Sequence, residues 1–388
     1  MTSRIFLAAL LLAGWIRSAP HQAPAAPPPG VVNVLIQFTA TDGTPLQGKL
    51  SLPAAATGPM PVVFYLHGAG PRNYDHAVRY RDTDGQIRAT NYYDFYAREL
   101  ASRGLAFFRI SKRGCTIDAT GQPQVDRKVF STATSTVLLD DYARALAEVR
   151  QRTDIDPSRV VLAGGSEGTR LAPQLALRAP AGVVGLLLMS HQSDNIRDTV
   201  VWQNTVGPWR GITYLIPAAA DEALTKAEYD EALKVNASLA QRLPFAVFDS
   251  NADGTINRDE AMKVLRPRLD VILKAVEDRN DDFLWSSLVN LTSAYLLDGW
   301  TAEPTSAFLL KLTVPIAIFH GELDGTTRVE GVRETSAAFV AAGKTTLTVR
   351  TYPGLDHDLG WTPASAKGAG TAPFQDAFAW AADLVRKR

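Results

Sequence analysis

Five residues, Gly164-Gly165-Ser166-Glu167-Gly168, constrain this chain more than any other feature. They follow Arg159–Ala163, which reads as a buried strand, and lead into Glu167–Arg178, whose apolar spacing predicts a helix. A chain that turns from strand to helix in so few residues needs neighbours with almost no side chain, so glycines flank the serine. Such a turn lifts the Ser166 hydroxyl above its strand and points the next N–H groups at an approaching group. Gly-Ser turns also occur without chemistry, the serine then serving as a helix N-cap.

The rest of the chain gives this turn a setting. Val31–Ala40 and Leu46–Leu52 read as strands joined at Asp42-Gly43, followed by strands Pro61–Leu66, Leu105–Ile110, Val183–Met189, Val314–Phe319 and Leu347–Tyr352. Helical spacing marks Asn91–Arg103, Val137–Arg150, Val329–Ala342 and a last helix from about Pro373. Short apolar strands alternating with helices predict an α/β fold, with a mostly parallel sheet and helices on both faces. The alternation breaks once, from about His191 to Lys311, in a mainly helical stretch holding Trp202, Trp209, Trp285 and Trp300. An insertion there emerges at one edge of the sheet, where a cap over a ligand site belongs, and the tryptophans are expected to wall an acyl pocket. The expected organisation is a leader over 1–25, core over 26–190 and 313–388, and a helical cap over 191–312.

A serine is a weak nucleophile and needs a base, which in turn needs an orienting carboxylate. After Ser166 the chain has three histidines: His191, His320 and His357. Strand Val314–Phe319 ends in His320-Gly321-Glu322-Leu323-Asp324-Gly325, and strand Leu347–Tyr352 ends in Pro353-Gly354-Leu355-Asp356-His357. Asp324 and His357 therefore both fall on loops at carboxyl ends of strands, in the order Ser–Asp–His. Glu322 is the reserve acid. His320 reads as a turn residue, and His191 receives no role. Strand Pro61–Leu66 runs into His67-Gly68-Ala69-Gly70-Pro71, where glycines let a backbone N–H approach a substrate oxygen. The expected oxyanion donors are the N–H groups of Ala69 and Glu167, with His67 fixing the loop.

HGAGP, FRISKRG (Phe108–Gly114), GGSEGT, HGELDG and GLDH together resemble the bacterial secreted α/β-hydrolases of the serine esterase and serine aminopeptidase-like group. The resemblance covers about Val31–Ser190 and Thr313–Arg388. Gly165 stands where that family usually has His, and Thr169 where it often has Gly. It implies an α/β-hydrolase fold and a carboxylesterase-like serine hydrolase acting on a small ester or peptide-like substrate. A serine peptidase of the same fold is the first alternative. A calcium-responsive binding protein on a non-catalytic hydrolase scaffold is the second.

The insertion carries its own motif. Asp249-Ser250-Asn251-Ala252-Asp253-Gly254-Thr255-Ile256-Asn257-Arg258-Asp259-Glu260 resembles the twelve-residue EF-hand loop. Asp249, Asn251 and Asp253 would supply side-chain oxygens, Thr255 its carbonyl, Asn257 a ligand or a water bridge, and Glu260 a bidentate carboxylate. Gly254 makes the sharp turn. The competing reading is a solvated acidic loop in which Asp259-Glu260 begins a helix. Pro244 shortens the entering helix, because it lacks a donor and fits only a helix's first turn. Neither Asp82-Thr83-Asp84-Gly85 nor Asp278–Asp282 makes a second loop, so a single unpaired calcium site is expected, with a structural role.

Bulk properties narrow the partners. Lys+Arg and Asp+Glu are equal at 40 each, which gives no electrostatic reason for nucleic acid or an anionic membrane. Arg4, the apolar stretch Ile5–Ile16 and a Pro/Ala-rich segment to Gly30 read as an export signal, so a secreted or periplasmic protein is expected. No later apolar run is long enough to span a bilayer. With Cys115 as the one cysteine, no intrachain disulfide can form.

Overall fold

The computed structural model describes residues 30–387, except 82–85, 120, 216–222 and 236–243. The expected leader over 1–25 lies outside the described residues. Eight strands form one sheet: β1 (Val31–Thr39), β2 (Pro45–Pro53), β3 (Met60–Leu66), β4 (Ala106–Ile110), β5 (Ile155–Gly165), β6 (Val183–Met189), β7 (Ile316–Gly321) and β8 (Leu347–Tyr352). Their spatial order is β1-β2-β4-β3-β5-β6-β7-β8. β2 is antiparallel to β1 and to β4, and all other pairs are parallel.

Hydrophobic alternation builds the two faces. Val62, Phe64 and Leu66 of β3, Leu162 of β5 and Ile318 of β7 enter one core. Their neighbours Val63, Tyr65, Val161, Ala163 and Phe319 enter the other. Helices Ser135–Arg150 and Gly168–Arg178 cover the first face, while Tyr92–Ala101 and Ala372–Arg386 cover the second. Apolar side chains on both faces of a parallel strand require this double cover.

The order of strands also locates the ligand site. From β3 the chain passes to β4 on one side, and from β5 to β6 on the other. Loops leaving the carboxyl ends of adjacent β3 and β5 therefore diverge and leave a crevice between them. The HGAGP and GGSEG segments sit on these two loops.

Between β6 and β7 the chain builds a series of helices, of which Arg258–Glu277 is the longest at 20 residues, about 30 Å. It begins at the calcium-type loop, and its later residues Leu269, Ile272 and Val276 pack into the main core. Around its start lies a separate small core of Trp209, Leu224, Tyr229, Phe245, Phe248, Ile256, Ala261 and Leu265. Among the described residues, no helix is long and apolar enough to cross a membrane.

Candidate active site

Ser166 adopts φ +55° at the end of β5. A non-glycine residue in this region stores about 1–3 kcal/mol and persists where the surroundings enforce it. Here the Ser166 N–H bonds the Met189 carbonyl of β6 at 3.0 Å. The Ser166 carbonyl accepts from the Thr169 N–H (2.9 Å) and hydroxyl (2.7 Å). The flanking glycines are steric necessities. A Cβ on Gly168 would stand 2.0 Å from the Leu66 carbonyl oxygen, and one on Gly164 would stand 2.4 Å from the Gly168 carbonyl group. Thr169, where the resembled family often has Gly, thus helps to pin the turn.

Parallel pairing of β7 and β8 brings the two later loops together. The Leu323 N–H bonds the Leu355 carbonyl at 2.9 Å, and the Glu322 N–H bonds Tyr352 O at 3.0 Å. Asp324 is fully buried. Its Oδ1 accepts from the N–H groups of Thr326 (2.7 Å) and Thr327 (2.8 Å), and its Oδ2 from the Thr327 hydroxyl (2.7 Å). His357 Nδ1 lies 2.8 Å from the same Oδ2. Burial pushes the His357 pKa down, but the Asp324 charge and hydrogen bond, then Asp358 and Asp356, outweigh it and raise the imidazole above its ordinary value. Burial likewise opposes ionisation of Asp324, and His357, then His320 and the Thr327 N–H, overcome it and hold that carboxyl below the usual range. The Ser190 hydroxyl donates to the His357 carbonyl, and Ser190 directly follows the Met189 that holds Ser166. No hydrogen bond joins the Ser166 hydroxyl to His357 among the described residues. In ligand-free hydrolases that bond commonly tightens only when substrate binds.

The other candidates fall elsewhere. Glu322 accepts from the Thr351 hydroxyl at 2.7 Å and does not bond His357. His320 accepts the His191 N–H on Nδ1 (2.9 Å), so its Nε2 carries the proton, which faces Thr327 O at 3.2 Å. His191 is fully buried, and burial pushes its pKa down to about 3. His67 is also fully buried. Its Nε2 faces the Ile110 carbonyl and its Nδ1 the Tyr93 hydroxyl, a structural clamp on the loop after β3.

Gly68 packs against the nucleophile: a Cβ built on it would be 3.2 Å from the Ser166 Cβ. Among the described residues, neither the Ala69 nor the Glu167 N–H is engaged by another protein group. The KRG motif, which sequence reading used only as a family marker, explains much of this geometry. Arg113 makes a bidentate pair with buried Asp141 at 2.7 and 2.8 Å. Lys112 reaches Gly68 O at 2.7 Å and Glu167 Oε2 at 2.8 Å. The local signal was a lysine at the start of a short turn ending in Cys115. Its partners are distant in sequence.

The calcium-type loop is ordered by its own side chains. Asp249 accepts from the N–H groups of Asp253 and Gly254 (3.1 Å each), Asn251 from Asp253 N–H (2.9 Å), and Asp253 from Thr255 N–H (2.8 Å) and hydroxyl (2.7 Å). Gly254 takes φ +85°. Glu260 reaches back from the helix to the N–H groups of Ser250 (3.0 Å), Asn251 (3.3 Å) and Asn257 (3.1 Å). The Asn257 N–H first, then those of Asn251 and Ser250, lower its pKa against the cost of burial. Asn257 caps the helix by accepting from Glu260 N–H at 3.0 Å, so its oxygen is engaged there. As the side chains stand, no group of three His, Cys, Asp or Glu residues is gathered as metal ligands among the described residues.

The structure adds a feature to the insertion: Thr255–Asn257 forms an antiparallel ribbon with Ala223–Thr225, and Leu224 and Ile256 are both fully buried. Three residues are too short a run for hydrophobic periodicity to reveal. The tryptophans also have other work. Trp209 fills the small core under the calcium-type loop, while Trp285 packs edge-on to Phe130 with the Arg127 guanidinium over its ring. Trp202 lies under Arg210.

No family model matches the chain. Over 140 residues it is 31% identical to Esterase EstD of Thermotoga maritima, a stretch that takes in 36% of this chain and 29% of that relative. Est1E from Butyrivibrio proteoclasticus superposes with a TM-score of 0.51 at 12% identity, over 90% of this chain and 99% of that one. The α/β hydrolase GrgF from Penicillium sp. sh18 does so with a TM-score of 0.50 at 13% identity, over 92% and 98%. At such identities the likeness is one of fold. With this sheet order and these neighbours, the chain has the α/β-hydrolase fold.

Proposed function

We propose that the protein is an exported serine hydrolase that cleaves small carboxylic esters through an acyl-enzyme. The observation that carries this reading is the buried Asp324 bonded at 2.8 Å to His357, on the strand-end loop tied through Ser190 and Met189 to the strained Ser166. In this reading His357, neutral on Nε2, takes the Ser166 proton as the hydroxyl oxygen attacks the ester carbonyl. Asp324 holds the tautomer and stabilises the imidazolium. The carbonyl oxygen gathers negative charge against the Ala69 and Glu167 N–H groups. His357 returns the proton to the departing alkoxide, and water, activated in the same way, releases the acid. Purified protein should hydrolyse p-nitrophenyl acetate or butyrate and leave aminoacyl p-nitroanilides nearly untouched. Faster anilide cleavage would favour the peptidase reading. No turnover of either would favour a binding protein on a hydrolase scaffold.

The same proposal assigns a structural calcium ion to the loop of the insertion. Asp249, Asn251, Asp253 and Glu260 with the Thr255 carbonyl form an all-oxygen donor set around a glycine turn, which suits a hard cation. Bound calcium would neutralise neighbouring carboxylates and fasten the start of helix Arg258–Glu277. At a hundred times its dissociation constant a ligand adds about 2.7 kcal/mol. Calcium is therefore expected to raise the melting temperature by a few degrees, and Glu260→Gln to abolish the response. An unchanged melting curve, with no calcium-specific heat on titration into chelator-treated protein, would remove the ion from this proposal.

A further inference from the structure

Behind the nucleophile lies a buried chain of charged and polar groups that the hydrolytic steps above do not use. Lys112 Nζ bonds Glu167 Oε2 at 2.8 Å, and the Tyr295 hydroxyl donates to Glu167 Oε1 at 2.6 Å. The three residues are 2%, 1% and 4% exposed. A buried ion pair of this kind is seldom more stabilising than apolar side chains of the same volume, so stability alone is a poor reason for it. Its position supplies a better one.

The second acceptor of Lys112 is the Gly68 carbonyl, at 2.7 Å. That carbonyl belongs to the Gly68–Ala69 peptide, the unit whose N–H is the first oxyanion donor. In a planar trans peptide the C=O and N–H point in opposite directions. A cation fixed on the oxygen therefore turns the Ala69 N–H away from Lys112, and by drawing electron density toward the oxygen makes that N–H a stronger donor. The other anchor of the lysine is the side chain of Glu167, the residue that carries the second donor. One ammonium thus ties together the two segments from which the oxyanion site is made. Glycine at 68 leaves this segment within contact distance of Ser166, since even a Cβ there would stand 3.2 Å from the serine Cβ.

Tyr295 brings in the insertion. It lies on helix Ser293–Asp298, whose neighbouring Asp298 side chain accepts from the Thr136 N–H of the core at 2.9 Å. On the reading of Ser166 as nucleophile, we propose that Lys112 is the positioning residue of the oxyanion hole and that Tyr295 couples the seating of the cap to it through Glu167. A cap that shifts away from the core withdraws the phenol from Glu167, frees that carboxylate to draw Lys112 off Gly68, and so lowers turnover with little change in substrate affinity.

Two variants test this: Tyr295→Phe, which deletes one hydroxyl, and the near-isosteric double variant Lys112→Met/Glu167→Gln, which removes both charges together. Each is measured for kcat, KM, melting temperature and affinity for a trifluoromethyl ketone, which forms a tetrahedral adduct on the serine and needs the oxyanion donors. Tyr295→Phe should lower kcat roughly tenfold, the scale of a hydrogen bond to a charged group. The double variant should lower it about a hundredfold or more, as loss of an oxyanion donor does. KM should hold, and ketone affinity should fall in parallel with kcat/KM. If kcat and ketone affinity stay within twofold of the parent, whatever the melting temperature does, the network is structural and the proposal is overturned. Should the double variant fail to fold, Tyr295→Phe decides by the same readings. Failure of the nucleophile assignment looks different: Ser166→Ala would then retain both activity and affinity for the ketone.

Discussion

Replacing Ser166 with alanine is expected to lower kcat for a p-nitrophenyl ester by about a million-fold, the scale of nucleophile loss in other triad enzymes. Labelling by a fluorophosphonate should disappear with it. The substitution keeps a Cβ and removes one oxygen, and among the described residues that hydroxyl makes no hydrogen bond. The φ of +55° is enforced by the backbone bonds to Met189 and Thr169, so the melting temperature should stay near that of the parent. Retained labelling at an unchanged rate would show that another residue is the nucleophile.

Asp324→Asn should cost about 10⁴-fold in kcat while leaving the loop folded. Asp324 accepts from two backbone N–H groups, a hydroxyl and the His357 ring, and has no donor to offer. An amide retains one acceptor oxygen, but its NH₂ faces groups that are already donors and selects the wrong histidine tautomer. The charge has a second consequence. His357 acts as base only when neutral, so activity rises as pH climbs through its folded-state pKa. Against burial, Asp324 and then Asp358 and Asp356 raise that pKa above the ordinary 6.5, so the ascending limb of the parent's profile lies on the alkaline side of it. In Asp324→Asn the residual activity should have its limb at lower pH. A limb that does not move would mean that His357 is not the titrating base.

Much of this architecture could be read before any coordinates. β3, β6, β7 and the second half of β5, Val160–Ala163, are short runs of apolar residues, and such runs can be satisfied only by burial on both faces. The glycines around Ser166 declared a tight turn, because the backbone approaches measured there leave no room for a Cβ. Asp324 and His357 were legible because each follows its strand directly. The turn at Asp249–Gly254 was legible because its glycine and its side-chain-to-backbone bonds are local.

What stayed hidden depended on groups far apart in the chain. Leu224 meets Ile256 across a three-residue ribbon, too short to show a period. Trp209 reads as a pocket wall from the insertion's place in the chain, yet it packs in the core beneath the calcium-type loop with Phe245, Phe248 and Ile256.

The amino-acid sequence by itself determined the strands, the turn at Ser166 and the order of serine, aspartate and histidine, since these follow from side-chain size, period and glycine placement within a few residues. Tertiary structure alone decided that Lys112 would meet Gly68 and Glu167, and that Tyr295 of the insertion would close the network. Those contacts join residues 44, 55 and 128 positions apart, and no local propensity selects a partner at that range. They exist because β3, β4 and β5 lie side by side, and because a charge taken out of water must find its counter-charge inside the fold.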